Sequence, residues 1–273
     1  QNTPYGARGL GTDYDIPAVE VPRNIVIENN RFINTGDHML TFDGSKWLVK
    51  NNYFENNLGW DAIITTASDT IITGNIFYIS NPNNPNHADI IQTDAFSNPN
   101  EISRNVFFEK NIIINASRTQ IGHLSSVPAQ AGMRWWVFRN NVYFNAEGAI
   151  GCGLEYVYWY NNVFYRSGFN TGSPIQFGYS EQNGFGHNGR TFNNAFIESG
   201  ANTGANGYGW YGVTAGVTGF AADYNMVAGA NGVAKNEFNE LHGINGGNPR
   251  FLNISNPLGA DGLSLTADDG FRL

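Results

Sequence analysis

The feature that most limits how this chain can fold is a recurring phrase. Apolar residues lead into a pair of Asn, then one spacer, then an aromatic or apolar residue. It reads Ile25-Val26-Ile27-Glu28-Asn29-Asn30-Arg31-Phe32, then Trp47-Leu48-Val49-Lys50-Asn51-Asn52-Tyr53-Phe54, then Ile71-Ile72-Thr73-Gly74-Asn75-Ile76-Phe77. Later copies centre on Asn111, Asn140-Asn141 and Asn161-Asn162, with weaker ones at Asn193-Asn194 and Asn225. The tightest copies recur at about 21 to 23 residues, the span of one coil in a stacked solenoid. A unit this short cannot enclose a core alone, so copies must stack.

Each copy predicts a short strand, a sharp corner at Asn and a second short strand. Asn suits the corner because it tolerates left-handed backbone angles and its amide bonds nearby backbone. With coils in register, Asn falls on Asn, and Asn30, Asn52, Asn75, Asn111, Asn141 and Asn162 form a side-chain ladder. The residue two positions on, such as Phe32, Phe54 or Phe77, then points inward as one layer of a stacked core.

In these repeats the chain resembles the right-handed parallel β-helix, the fold of pectate lyases and other polysaccharide-active proteins. The resemblance spans Val19 to Phe251. It implies an all-β solenoid with an Asn ladder and long loops on one face. The expected organisation is a single domain over residues 1–273, with an irregular leading segment at 1–18 and a closing segment at 252–273. The resemblance also implies a secreted or cell-surface protein whose partner is a polysaccharide.

Composition limits the function classes. The net charge of −8, with no basic run, argues against nucleic-acid binding. No apolar run reaches the length of about 18 residues that a membrane span needs. Cys152 is the single cysteine and has no internal disulfide partner; its apolar setting reads as a small buried hydrophobe. The chain starts at Gln1, which suggests a processed or trimmed form, and no helical cap is evident at either end. Uncapped solenoid ends would favour self-association. Asp261, Asp268 and Asp269 near the C-terminus read as a turn rather than as a calcium site.

After each corner comes a second apolar stretch, as in Asp37-His38-Met39-Leu40-Thr41-Phe42 and Trp60-Asp61-Ala62-Ile63-Ile64-Thr65. These stretches are expected to stack as one parallel sheet. Polar groups concentrate in four successive members: His38, Asp61, then His87, Asp89, Gln92 and Asp94, then Gln120 and His123. Coils stack about 4.8 Å apart, so groups in neighbouring coils can share a site. Asp89-Ile90-Ile91-Gln92 does not alternate, which leaves the facing of Asp89 open.

Two reactions fit. A lyase removes the proton beside a uronate carboxylate and expels the glycosidic oxygen. His87, His123 and Arg118 are its candidate bases, and Asp61, Asp89 and Asp94 a candidate calcium set. A hydrolase needs two carboxyl groups, which Asp61 with Asp89 or Asp89 with Asp94 would supply. Gly122-His123-Leu124 matches only a fragment of the polygalacturonase Gly-His-Gly motif. His38, Trp60, Gln92, Gln120 and Arg134 are the candidate substrate contacts. Elimination is the preferred reading over hydrolysis. A third class needs no catalysis: a glycan-binding adhesin, a tailspike-like protein or a filament subunit. Trp60, Trp135, Trp136, Tyr156, Tyr158, Trp159 and Trp210 would then stack on sugar rings, with Trp136 and Tyr158 expected in the core.

Overall fold

A computed structural model describes residues 10–11, 22–56, 59–80, 88–93, 103–117, 119–124, 134–148, 150–168, 172–178, 186–200, 210–235, 238–263 and 266–271. The described residues form an all-β parallel solenoid with no α-helix. Three all-parallel sheets run along it. The first, of eight strands, starts Val26–Glu28, Leu48–Lys50, Thr70–Thr73 and Arg104–Glu109, and continues with Arg134–Arg139 and Glu155–Tyr160. The second, of nine, starts Arg31–Ile33 and Tyr53–Glu55. The third, of eight, includes Leu40–Phe42, Ile63–Thr65, Ala88–Thr93, Thr119–Leu124 and Ile150–Cys152. Each coil passes through the sheets in that order.

The Asn pair between the first and second sheets divides two tasks. Its first member, at Asn29, Asn51, Lys110, Asn140, Asn161, Asn193 and Tyr224, has φ of 53–60° and makes the turn. Gly74 takes the same place, with φ of 65°, and a Cβ there would lie 2.6 Å from Asn51 Oδ1. The second member makes the ladder, which extends past the six expected residues to Asn194 and Asn225. Each ladder Oδ1 accepts the backbone N–H of the preceding coil's Asn at 2.9–3.0 Å and its Nδ2 at 2.9–3.3 Å. Successive ladder residues are 21 to 36 positions apart, yet the bonds are the same. Insertions are therefore absorbed elsewhere in the coil, in the long intervals that adjoin the third sheet.

The residue two places past the ladder Asn points inward, as expected. Phe32 stacks on Phe54 at 4.9 Å and Phe54 on Phe77 at 4.7 Å. Farther along, Tyr143, Phe164 and Phe196 stack at 4.6 and 4.9 Å. The facing layer comes from the first sheet, where Phe138 and Trp159 lie flat on each other at 4.0 Å. Such pairs are each worth about 0.5–1.5 kcal/mol beyond their buried area. Cys152 sits in this core, where burial pushes its thiol up from the usual range, consistent with a hydrophobe rather than a nucleophile.

One tryptophan and one tyrosine part company with the sequence reading. Trp136 is buried as expected, but so is Trp159, while Tyr158 lies on the outer face of the first sheet. Val157 and Trp159 continue the inward rows of Trp136 and Phe138, so Tyr158 must face outward.

The described residues from 251 onward lie beside the stack rather than over its end. Phe251 and Phe271 pack against Phe144, Tyr165 and Ile197 on the outer face of the second sheet. The end of the stack is met instead by Phe238, which packs on the main core and crosses Trp210 at 5.4 Å, and by Glu240. Glu240 accepts Asn225 N–H at 2.9 Å and Asn225 Nδ2 at 2.8 Å, the two bonds that a further Asn would take. Asp261, Asp268 and Asp269 bond the chain around them, as a turn does: Asp268 accepts the Thr266 hydroxyl at 2.9 Å, and Asp269 accepts Thr266 N–H at 3.0 Å.

Three outcomes follow. Asn141→Leu removes an acceptor for two donors of Asn111 and should cost about 1–3 kcal/mol in chemical denaturation. Glu240→Ala should cost a similar amount, about 1–3 kcal/mol, and Glu240→Gln less, because Gln keeps one acceptor oxygen. The Thr266 hydroxyl and the Ala260 N–H hold the Asp268 carboxyl below the usual carboxylate range. A depressed carboxylate contributes stability above its unfolded pKa and loses it as pH falls through the folded value. Acidification should therefore expose the 251–271 segment to protease, and Asp268→Asn should remove that pH dependence.

Candidate functional site

The polar residues expected to share a site fall at the start of the third sheet, where each coil turns out of the second. At this corner two consecutive residues face the core: Met39 with Leu40, Ala62 with Ile63, and Ile90 with Ile91. This resolves the non-alternating Ile90-Ile91 pair. The bend, rather than a regular pleat, lets both side chains in.

One position earlier lie His38, Asp61 and Asp89, in line along the solenoid. Met39 N–H bonds Asp61 O at 3.1 Å, and Ala62 N–H bonds Asp89 O at 2.8 Å, which fixes the alignment. Their side chains bond along the axis. His38 Nδ1 lies 3.3 Å from Asp61 N, and Asp61 Oδ1 accepts Asp89 N–H at 2.8 Å. This short ladder runs opposite to the Asn ladder: here each later coil donates to the earlier one. Gln120 is in register after Asp89. Asp61 is 1% exposed and Asp89 0%.

His38 is the group at this corner best placed to move a proton. Its Nδ1 also lies 3.3 Å from Asp61 Oδ2, and its Nε2 lies 3.6 Å from Asp37 Oδ1. With the proton on Nδ1 facing Asp61 Oδ2, Nε2 carries the lone pair. With Nδ1 accepting from Asp61 N–H, Nε2 carries the proton. Trp60 is 43% exposed, and its ring centroid lies 6.5 Å from the imidazole. An apolar ring face next to a proton-transfer group suits a sugar, which has both a C–H face and acidic protons. Asp37 was not among the expected residues, although the Asp-His dipeptide is its signal.

The other expected residues are more dispersed. Gln92 is buried and pairs in register with Ile64 and His123; His123 pairs in turn with Gly151. Three positions along the strand separate this row from the Asp89 row. Arg134 lies at the start of the first sheet, over the Trp135 ring. His87, Asp94 and Arg118 lie outside the described residues.

The described residues do not assemble a calcium cage. Among them, no three His, Cys, Asp or Glu side chains gather around one point. Asp61 Oδ1 is already taken by an amide, and its Oδ2 faces an imidazole nitrogen rather than the oxygen donors that calcium prefers. Elsewhere, a cleft of about 440 Å³ opens between the second sheet and the 251–271 segment, lined by Tyr165, Glu198, Asn231, Asn248 and Phe251 among others. It is distant in the fold from the His38 corner.

Comparison of the chain with family models, curated proteins and solved structures finds no match.

The axial bonds make a prediction that separates structure from chemistry. Asp61→Ala leaves the buried Asp89 N–H without its acceptor and should cost about 1–3 kcal/mol. Asp61→Asn, which keeps an acceptor oxygen, should cost less. Thermal unfolding of the two variants side by side checks this, and equal losses would remove the proposed axial bond.

Proposed function

We propose that the protein acts on a polysaccharide at the His38 corner, by β-elimination of a uronate-containing chain. The observation that carries this reading is the exposed Trp60 beside an imidazole flanked by two carboxylates. Trp60 would hold a sugar ring by its apolar face. His38 Nε2 would take the proton on the carbon next to the uronate carboxylate. That C–H electron pair becomes the new carbon–carbon double bond, and the glycosidic oxygen leaves with the pair of the broken C–O bond and is protonated. The imidazolium that forms would lie between Asp37 and Asp61, a favourable place for a positive charge. Asp61 acts through His38, as a positioning residue.

Burial favours elimination over hydrolysis. A hydrolase needs two carboxyl groups that reach the glycosidic bond from opposite sides. Asp61 and Asp89 are both buried, and Asp61 is engaged along the axis. The half-exposed aromatics on the outer face of the first sheet support a second reading, in which the protein binds a glycan without cutting it.

A panel of acidic and neutral polysaccharides separates these readings. Ultraviolet absorbance from an unsaturated product is the expected result with an acidic polysaccharide. His38→Ala should lower the rate by about 100-fold or more, the usual contribution of a general base. Trp60→Ala should raise KM more than it lowers kcat. New reducing ends without absorbance would indicate hydrolysis, and no product from any polysaccharide would leave the binding reading.

A further inference from the structure

The corner that leads from the third sheet into the first carries a left-handed residue in coil after coil. Asn24, Lys46, Asp69, Asn105, Trp135, Tyr156 and Asn188 occupy it, with φ between 52° and 61°. Short polar side chains tolerate this conformation because they bond local backbone. A bulky aromatic has no such bond to offset the crowding of Cβ against the following carbonyl, which every residue but glycine meets there. Two successive coils nevertheless place aromatics here. Trp135 and Tyr156 stand side by side, one coil apart, with ring centroids 6.0 Å apart at 40°.

Burial does not explain the choice. Trp135 is 38% exposed and is not part of the core cluster. Backbone strain that packing does not offset is a mark of function. Arg134 adds chemistry to the rings: its guanidinium lies 4.5 Å from the Trp135 centroid, and its Nε has no hydrogen-bond partner among the described residues. Asn105 precedes the pair by one coil and Asn188 follows it by one at the same corner, and the Asn105 amide donates to Asp69 Oδ1 of the coil before it at 2.9 Å.

We propose that Trp135, Tyr156 and Arg134 form a binding subsite for a uronic-acid residue of a polysaccharide. The rings take the apolar face of a pyranose, and the guanidinium takes its carboxylate through charge-assisted hydrogen bonds. The chain's net charge of −8 makes a local cation necessary for an acidic ligand, and Arg134 supplies it. This deepens the glycan-active reading above and rests on it for the ligand class. The subsite lies three coils from Asp61 and across the third sheet from it, so it is a separate site on the same molecule.

The test is titration of the full chain with oligogalacturonate and with a cello-oligosaccharide of matched length, followed by tryptophan fluorescence and calorimetry. The unaltered protein should bind oligogalacturonate more tightly. Trp135→Asn places the residue favoured by this backbone at the corner. It should leave the melting temperature unchanged or raise it, while weakening binding by about tenfold. Arg134→Gln should weaken binding of oligogalacturonate and leave binding of the neutral oligosaccharide unchanged. Unchanged affinity in Trp135→Asn, no binding by the unaltered protein, or a melting temperature that falls along with affinity would each overturn the proposal. The last would assign the rings a structural role. A uronate preference unchanged in Arg134→Gln would overturn the carboxylate contact. Binding is read without turnover, so a protein that cleaves nothing still tests the subsite, and a failed subsite leaves the cleavage assay standing.

Discussion

Every coil of this protein depends on hydrogen bonds that run between coils, not within them. A three-residue strand cannot hold its own conformation, and a corner leaves amides without partners. The Asn ladder meets both needs at once. One side-chain oxygen takes the corner N–H and the side-chain amide of the coil before, while its own amide reaches a carbonyl, as Asn141 does to Phe108 at 2.9 Å. The aromatic rows inside the solenoid are held in line by this alignment. Their stacking adds apolar contact at the same repeat, so polar and apolar registers reinforce each other.

Fixing one corner so firmly frees the others. The Asn corner spans two residues in every described coil, whereas chain is added next to the third sheet, where loop length costs little. The residues with the most chemistry adjoin that sheet: His38 and Trp60 where the chain enters it, and Arg134, Trp135 and Tyr156 where it leaves. A rigid stack with variable flanks is a common way to present binding groups without disturbing a core.

Much of this could be read from the sequence because period and position carry it. The ladder, the inward layer at Phe32, Phe54 and Phe77, and the parallel stacking all follow from spacing. What was not legible was direction. The two Asn of a pair are the same residue, and nothing in the letters says that Asn51 turns the chain while Asn52 builds the ladder. Trp159 could have been assigned by counting back three from Asn162, the same step that leads from Asn141 to the inward Phe138. Alternation within one strand did not give that answer. Asp61 and Asp89 were found in adjacent coils, but their bonding along the axis depends on a bend that also turns Ile90 and Ile91 inward together. Whether a carboxylate points along a solenoid or out of it is set by that corner, not by its neighbours in sequence. The strain at Trp135 and Tyr156 was hidden for the same reason, since both read simply as aromatic.

Glu240 gives the molecule a polarity. In the Asn ladder donors always face the later coil and acceptors the earlier one, so the stack has a donating and an accepting terminus, like a polymer with unlike ends. At the donating terminus the Glu240 carboxylate takes both of the Asn225 donors. A second copy docking head-to-tail would find no ladder donor to accept, and would meet a carboxylate where it needed an amide. Extending the ladder from one molecule into a continuous fibre would require Glu240 to move aside first. One acidic side chain thus stands where the next Asn would be and ends the run of ladder bonds at Asn225.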